Sequence, residues 1–313
     1  MARIACYTHP DFDLHTQGSR HPERPERTKA LIRRLSVTEF WDDLDVVLPE
    51  PASVDDIALV HDRAYIERVE RICEQGGGLV DGLETGVNRG SYRIAQLAVG
   101  AVTGAIDRVV GGKNSAAFCA VRPPGHHALQ RSAMGFCLFN NAAIGARYAR
   151  QIYGVERVLI VDWDFHHGNG TQETFWRDGS VMCFSVHCSP AYPYSGFADQ
   201  RGEGPGEGLI VNAPLAPGAG HYEYADAFEN VLKPAAERFE PDLVLISAGF
   251  DAHRSDPLSL MRIDEADFRE FTDRVRDIAD RFAGGRIVSV LEGGYNVDTL
   301  ASSAEGHVRR LLA

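Results

Sequence analysis

Five things are missing from this 313-residue chain, and each absence narrows the classes of function to expect. There is no long run of Lys and Arg, and the net charge is −12. Neutralising phosphates needs clustered basic side chains, so nucleic acid is not an expected partner. No apolar run approaches membrane-spanning length and no signal-like segment precedes the first apolar strand, so neither a membrane partner nor export is expected. The six cysteines (Cys6, Cys73, Cys119, Cys137, Cys183, Cys188) form no Cys-x-x-Cys. They read as small buried thiols of a cytoplasmic protein. The glycine clusters Gly76-Gly77-Gly78, Gly111-Gly112 and Gly284-Gly285 lack phosphate-loop spacing. Each follows a helical pattern and reads as a left-handed cap, which argues against nucleotide binding.

The residues that are present suit a sizeable core, with 44% hydrophobic and 24% charged. Apolar runs predict strands at 4–7, 46–48, 115–121, 157–161, 181–186, 209–213, 242–248 and 286–291. Helical periodicity predicts helices at 25–35, 62–74, 91–110, 140–152, 220–239, 264–282 and 296–311. This alternation, with no internal repeat or low-complexity linker, predicts an α/β fold. We expect one domain over residues 1–313, a mainly parallel central sheet with helices on both faces. Ligands in such sheets bind beyond the carboxyl ends of the strands. The unusual polar residues cluster there: His126 and His127, Asp162 to His166, His187, Asp251, and Glu292 to Tyr295.

The densest of these segments is Asp162-Trp163-Asp164-Phe165-His166-His167-Gly168, directly after Val158-Leu159-Ile160-Val161. Alternation puts Asp162, Asp164 and His166 on one side. Two carboxylates and an imidazole are costly to desolvate together without a cation or a proton to share, and Asp oxygen and His nitrogen are ordinary zinc ligands. Asp251, beyond another apolar strand, is the best third ligand. Three protein ligands leave a position open for water or substrate. A metal there lowers the pKa of bound water from about 15.7 toward ~7. His126 and His127, on the Pro123-Pro124-Gly125 turn, suit a proton shuttle, with Asp162 orienting His126. Tyr295 follows two glycines that let the backbone pass close to the pocket, and its phenol can donate to an oxyanion.

These residues resemble the histone deacetylase superfamily of zinc amidohydrolases, which shares its fold with arginase. The resemblance covers nearly the whole chain. It rests on His21-Pro22-Glu23-Arg24-Pro25-Glu26-Arg27, Arg122 to Ala128, Gly135-Phe136-Cys137-Leu138-Phe139-Asn140-Asn141, and Asp162 to Gln172. It continues through Ser185-Val186-His187, Ser247 to Asp251, and Glu292 to Asn296. Asn169 and the Gly170-Thr171-Gln172 after it look like class II enzymes, and the chain resembles the bacterial relatives of that class.

The resemblance implies zinc on Asp164, His166 and Asp251, with ferrous iron as the alternative metal. It implies His127 as general base and then acid, His126 as its electrostatic partner and Tyr295 polarising the scissile carbonyl. Asn169 joins the catalytic set. A structural potassium ion would sit on the backbone oxygens of Asp162, Asp164 and His166 with Ser185 and Val186. Phe136, beside Gly135, and Tyr192 would wall a narrow tunnel for a linear acylated amine; the family usually has Phe at the second wall. Leu258 falls where polyamine-selective members carry Glu, and Glu84 where protein deacetylases carry a rim Asp. His253 and Arg254 are candidates for the entrance. The substrate expected is an acyl-lysine protein or peptide, with small acylated amines such as acetylpolyamines as the alternative. A non-catalytic acyl-ligand module is a third reading, which intact ligands and Tyr295 oppose. A homo-oligomer is compatible with the sequence.

Overall fold

β-branched and aliphatic runs become strands because both of their faces are covered. The computed structural model describes residues 4–18, 20–82 and 84–313. Among the described residues ten strands are found: β1 (Ile4–Tyr7), β2 (Leu44–Val47), β3 (Gly77–Leu79), β4 (Gly86–Asn88), β5 (Ala116–Cys119), β6 (Val158–Asp162), β7 (Val181–Cys188), β8 (Ile210–Leu215), β9 (Leu243–Ala248) and β10 (Ile287–Leu291). The helices are α1 (Glu26–Leu35), α2 (Val54–Ile57), α3 (Arg63–Glu74), α4 (Ser91–Val110), α5 (Asn141–Tyr153), α6 (Asn169–Phe175), α7 (His221–Asp226), α8 (Lys233–Phe239), α9 (Glu265–Phe282) and α10 (Val297–Leu312).

Eight strands form one sheet in the order β2-β1-β5-β10-β9-β6-β7-β8, and every neighbouring pair is parallel. Alternation sorts the side chains into two cores. Leu159 and Val161 of β6, with Val244 and Ile246 of β9, meet Phe268, Val275 and Val308 from α9 and α10. Val158, Ile160, Leu243 and Leu245 face the other way, toward Ile66, Leu97 and Ile144 from α3, α4 and α5. Each fully buried Val, Leu or Ile contributes roughly 1.5–3 kcal/mol. This is the α/β, parallel-sheet architecture the alternation predicted. Among the described residues no helix is long and apolar enough to cross a membrane.

Two local readings change. Gly76-Gly77-Gly78 is more than a helix cap: α3 ends on Gln75, and Gly77–Leu79 pairs antiparallel with Gly86–Asn88. A Cβ on Gly77, at φ +100°, would stand 2.2 Å from the Val87 carbonyl oxygen, so glycine is what permits the pairing. The helix expected at 220–239 is interrupted by a π-turn at Ala227–Leu232. Pro234 follows it, and its missing N–H cannot support a regular turn.

Registers align the strand ends: Asp162 lies opposite Ser185 on one side and Ser247 on the other, and Leu291 lies opposite Ala248. The segments that follow β5, β6, β9 and β10 therefore start at one level, and the polar residues meet there.

Candidate active site

Beyond Asp162 the chain keeps alternating for four residues. Trp163 and Phe165 bury into the core, while Asp164 and His166 turn the other way. One ligand atom each from Asp164, His166 and Asp251 lies within 4.8 Å of the other two. His166 Nδ1 is 3.1 Å from Asp164 Oδ1 and 3.1 Å from Asp251 Oδ2. Backbone donors fix both carboxylates: the Gly293 and His166 N–H groups donate to Asp164 at 2.8 Å, and Phe165 N–H donates to Asp251 at 2.9 Å. Burial, reinforced by the charge of Asp164, pushes the Asp251 carboxyl up to about 7. Two buried carboxylates sharing one imidazole is a donor set that a divalent cation would relieve, so the residues fit a zinc-type ion.

The backbone must come very close. A Cβ on Gly293 would stand 2.2 Å from Asp251 Oδ2 and 2.5 Å from Asp164 Oδ2, so no larger residue fits between the ligands and Tyr295. Gly125 is required by packing, since a Cβ there would meet Asn141 N at 2.5 Å.

Beside the ligands stand the two histidines. Their turn is pinned by Glu292, whose Oε2 accepts from Gly125 N–H at 2.7 Å and His126 N–H at 3.1 Å. His126 Nδ1 pairs with Asp162 Oδ2 at 2.9 Å, and His127 Nδ1 with Asn169 Oδ1 at 2.7 Å. An amide oxygen only accepts, so His127 donates from Nδ1 and keeps Nε2 free as a base. Burial alone would lower His126, but Asp162 and then Asp164 outweigh it and hold the imidazole well above 6.5. Burial pushes His127 well below 6.5, and the positive charge on His126 and His166 adds to the effect.

Tyr295 is buried, and its N–H donates to Asp256 Oδ2 at 2.6 Å. The Arg27 guanidinium lies 5.0 Å from the centre of its ring. Phe136, at φ +70°, sets its ring edge-on to Tyr295 with centroids 5.9 Å apart. Tyr192 lies against the other residues, its ring centroid 5.3 Å from that of His127 and 6.0 Å from that of His166. Its hydroxyl donates to Glu84 Oε1 at 2.6 Å. Burial and that carboxylate both push the phenol pKa up, so the proton stays on. Gly135 N–H donates to the same Glu84 oxygen at 3.2 Å, and Gly135, at φ +54°, leaves no room for a Cβ beside the His127 ring. Leu258 is 37% exposed on the loop that Asp256 ties to Tyr295. Ser185 and Val186 lie on β7, and a small cavity is lined by Asp162, Gly168, Ser185 and Asn212. His253 is buried and faces Glu265 at 3.3 Å rather than the entrance, and Arg254 pairs with Asp264 at 3.6 Å.

Residues 21–311 match the histone deacetylase domain. The chain belongs to the histone deacetylase family. A histone deacetylase-like amidohydrolase of Pseudomonas aeruginosa is 43% identical over 278 residues, 88% of this chain and 73% of that protein. Histone deacetylase 10, chloroplastic, of Oryza sativa subsp. japonica is 40% identical, covering 99% of this chain and 73% of its own. The crystal structure of the HDA15 HD domain superposes with a TM-score of 0.95 at 37% identity, covering 99% of this chain and 88% of that one. Histone deacetylase family members are amide hydrolases that depend on a metal, typically zinc.

The supports behind these side chains had no sequence reading of their own. Glu23 is fully buried and bound by Arg122 through Nη2 at 2.7 Å and by Arg27 through Nη1 at 3.2 Å. Burial would raise its carboxyl, but Arg122 leads the groups that bring it down to about 2. Arg27 then donates from Nε to the Gly294 carbonyl at 2.6 Å and also reaches the Glu292 carbonyl. Charged residues in a run such as Glu23-Arg24-Pro25-Glu26-Arg27 read as surface by composition. Only their recurrence in a family motif marked them.

Proposed function

We propose that this deacetylase-family amidohydrolase is zinc-dependent and removes acetyl or other acyl groups from lysine side chains of proteins or peptides. The observation that carries the reading is the convergence of Asp164, His166 and Asp251 beside a histidine whose Nδ1–H is committed to Asn169. Held on those three ligands, zinc supplies Lewis acidity toward the amide carbonyl and toward water, and ferrous iron would suit the same donors. His127 Nε2 takes the proton from the attacking water and returns it to the leaving amine. His126, kept cationic by Asp162, stabilises negative charge as it builds, and Tyr295 donates to the developing oxyanion. Phe136 and Tyr192 line the passage for the linear side chain. Asp162, Ser185 and Val186, with the backbone oxygens of Asp164 and His166, are the proposed holders of a structural potassium ion. All six cysteines are free and buried, which suits a reducing cytoplasm.

Small acylated amines are the second reading, favoured by the Glu84 carboxylate beside the tunnel walls and opposed by apolar Leu258. A panel of acetyl- and longer-acyl-lysine peptides against acetylputrescine and acetylspermidine, with zinc restored, decides between them. Higher kcat/KM on the peptides is expected, and a preference for the acetylpolyamines overturns the assignment. Asp164→Asn should lose its metal, and stoichiometric zinc retained after dialysis would reject that ligand.

A further inference from the structure

Glu84, at the rim position, is tied to both sides of the passage. One of its oxygens, Oε1, accepts from the Tyr192 hydroxyl at 2.6 Å and from the Gly135 N–H at 3.2 Å. Tyr192 belongs to one wall of the passage, and Gly135 adjoins Phe136 of the other. The neighbouring residue acts in the same direction, since Thr85 Oγ accepts from the Phe136 N–H at 3.2 Å. Gln17 completes the brace: its Nε2 donates to the Phe136 carbonyl at 3.1 Å and its Oε1 accepts from Gly86 N–H at 3.0 Å. The segment between β3 and β4 thus holds one wall by its backbone and reaches the other through a single hydroxyl.

A phenylalanine at position 192 would leave that second wall untied. The ring it carries is the one packed edge-on against His127 and His166, where the acyl group must sit during hydrolysis.

We propose that the Tyr192 hydroxyl and Glu84 form a crossbar that fixes the distance between the walls and makes the enzyme selective for short acyl groups. Tyr192 is the wall residue, and Glu84 is a positioning residue that acts through it. This rests on the deacylase reading above. Glu84 Oε2 has no hydrogen-bond partner among the described residues, so the crossbar leaves that oxygen available to a donor from the substrate.

The test compares kcat/KM on butyryl-lysine and acetyl-lysine versions of one peptide, using the zinc-loaded full chain. Tyr192→Phe should raise the butyryl-to-acetyl ratio roughly threefold to tenfold, the effect of losing one hydrogen bond. Glu84→Ala should raise it by a similar factor, while Glu84→Gln, which keeps an acceptor oxygen, should stay near the wild type. In a double-mutant cycle, Tyr192→Phe should add nothing to Glu84→Ala. Melting temperatures within a few degrees of the wild type separate the effect from misfolding. An unmoved ratio in Tyr192→Phe, or fully additive effects in the cycle, overturns the crossbar while leaving deacylation intact. A wild type inactive on every acyl-lysine peptide overturns the deacylase reading and the crossbar with it.

Discussion

His126 and His127 are adjacent, equally buried and covalently identical, yet their surroundings drive them to opposite charge states. The difference is the partner at Nδ1: a carboxylate for His126, a neutral amide for His127. A cation 4.0 Å away, centroid to centroid, then discourages a second proton on His127. The same scale holds the sharpest kinetic prediction. Tyr295→Phe removes one oxyanion donor and should lower kcat roughly 10²–10³-fold with a modest change in KM. Steady-state rates on an acetyl-lysine peptide check it, and an unchanged kcat rejects the role. Candidate site residues that the fold brings together are legible in the sequence where chemistry-bearing types follow apolar runs, as Asp164, His166 and Asp251 do. The partners that hold them were not. Nothing in the sequence pairs Glu292 with the 125–126 turn, or Tyr192 with Glu84 108 residues away, because those contacts are made by the fold.

Among the elements, α5 shows how capping and site assembly share residues. Asn140 accepts from Ala143 N–H at 3.0 Å as the N-cap, and its Nδ2 donates to Thr171 of α6 at 3.1 Å. Its own N–H donates to His61 Nε2 at 2.9 Å. Asn140→Ala should therefore destabilise the protein by about 1–2 kcal/mol, at the upper end for a lost cap. Urea unfolding at fixed zinc checks this, and a change below a few tenths of a kcal/mol would reject it. Long, strongly periodic elements were read correctly from the chain: α4 spans Ser91–Val110 as its pattern predicts. Short ones were not. α2 and α6 are too brief for periodicity to show, and β3 is mostly glycine, which has no side chain to alternate.

For the whole molecule, buried neutral histidines weaken the fold in acid, opposed in part by Asp251 and Glu292, whose carboxyls burial pushes up to about 7. Burial brings His15, His61 and His187 down to about 4 and His307 to about 3. Once the pH falls below about 6.5 the unfolded chain takes up protons that the folded chain refuses, so stability falls with pH until these histidines titrate. Each contributes a slope approaching about 1.4 kcal/mol per pH unit between roughly pH 6.5 and 4. Glu23, held near 2, adds stability above its ordinary range that is lost as pH falls toward 2. Tm should drop from pH 7 to pH 4.5 in thermal melts, and a flat profile would contradict a dominant role for these histidines. The parallel-sheet architecture was legible in the alternation of elements, whereas the order of strands was not, because hydrophobic patterning carries no information on which neighbour a strand selects.

That order has a consequence for how the protein comes into being. Among the described strands β9 and β10 come after all the others in chain order, yet they fill the middle of the sheet between β5 and β6. A nascent polypeptide cut short before residue 243 would have two half-sheets with raw inner edges, no Asp251 and no Tyr295. The candidate ligands and Tyr295 come together only once the segment from residue 243 onward wedges itself between the two halves, so a chain truncated there is expected to be inert and prone to associate through its open edges.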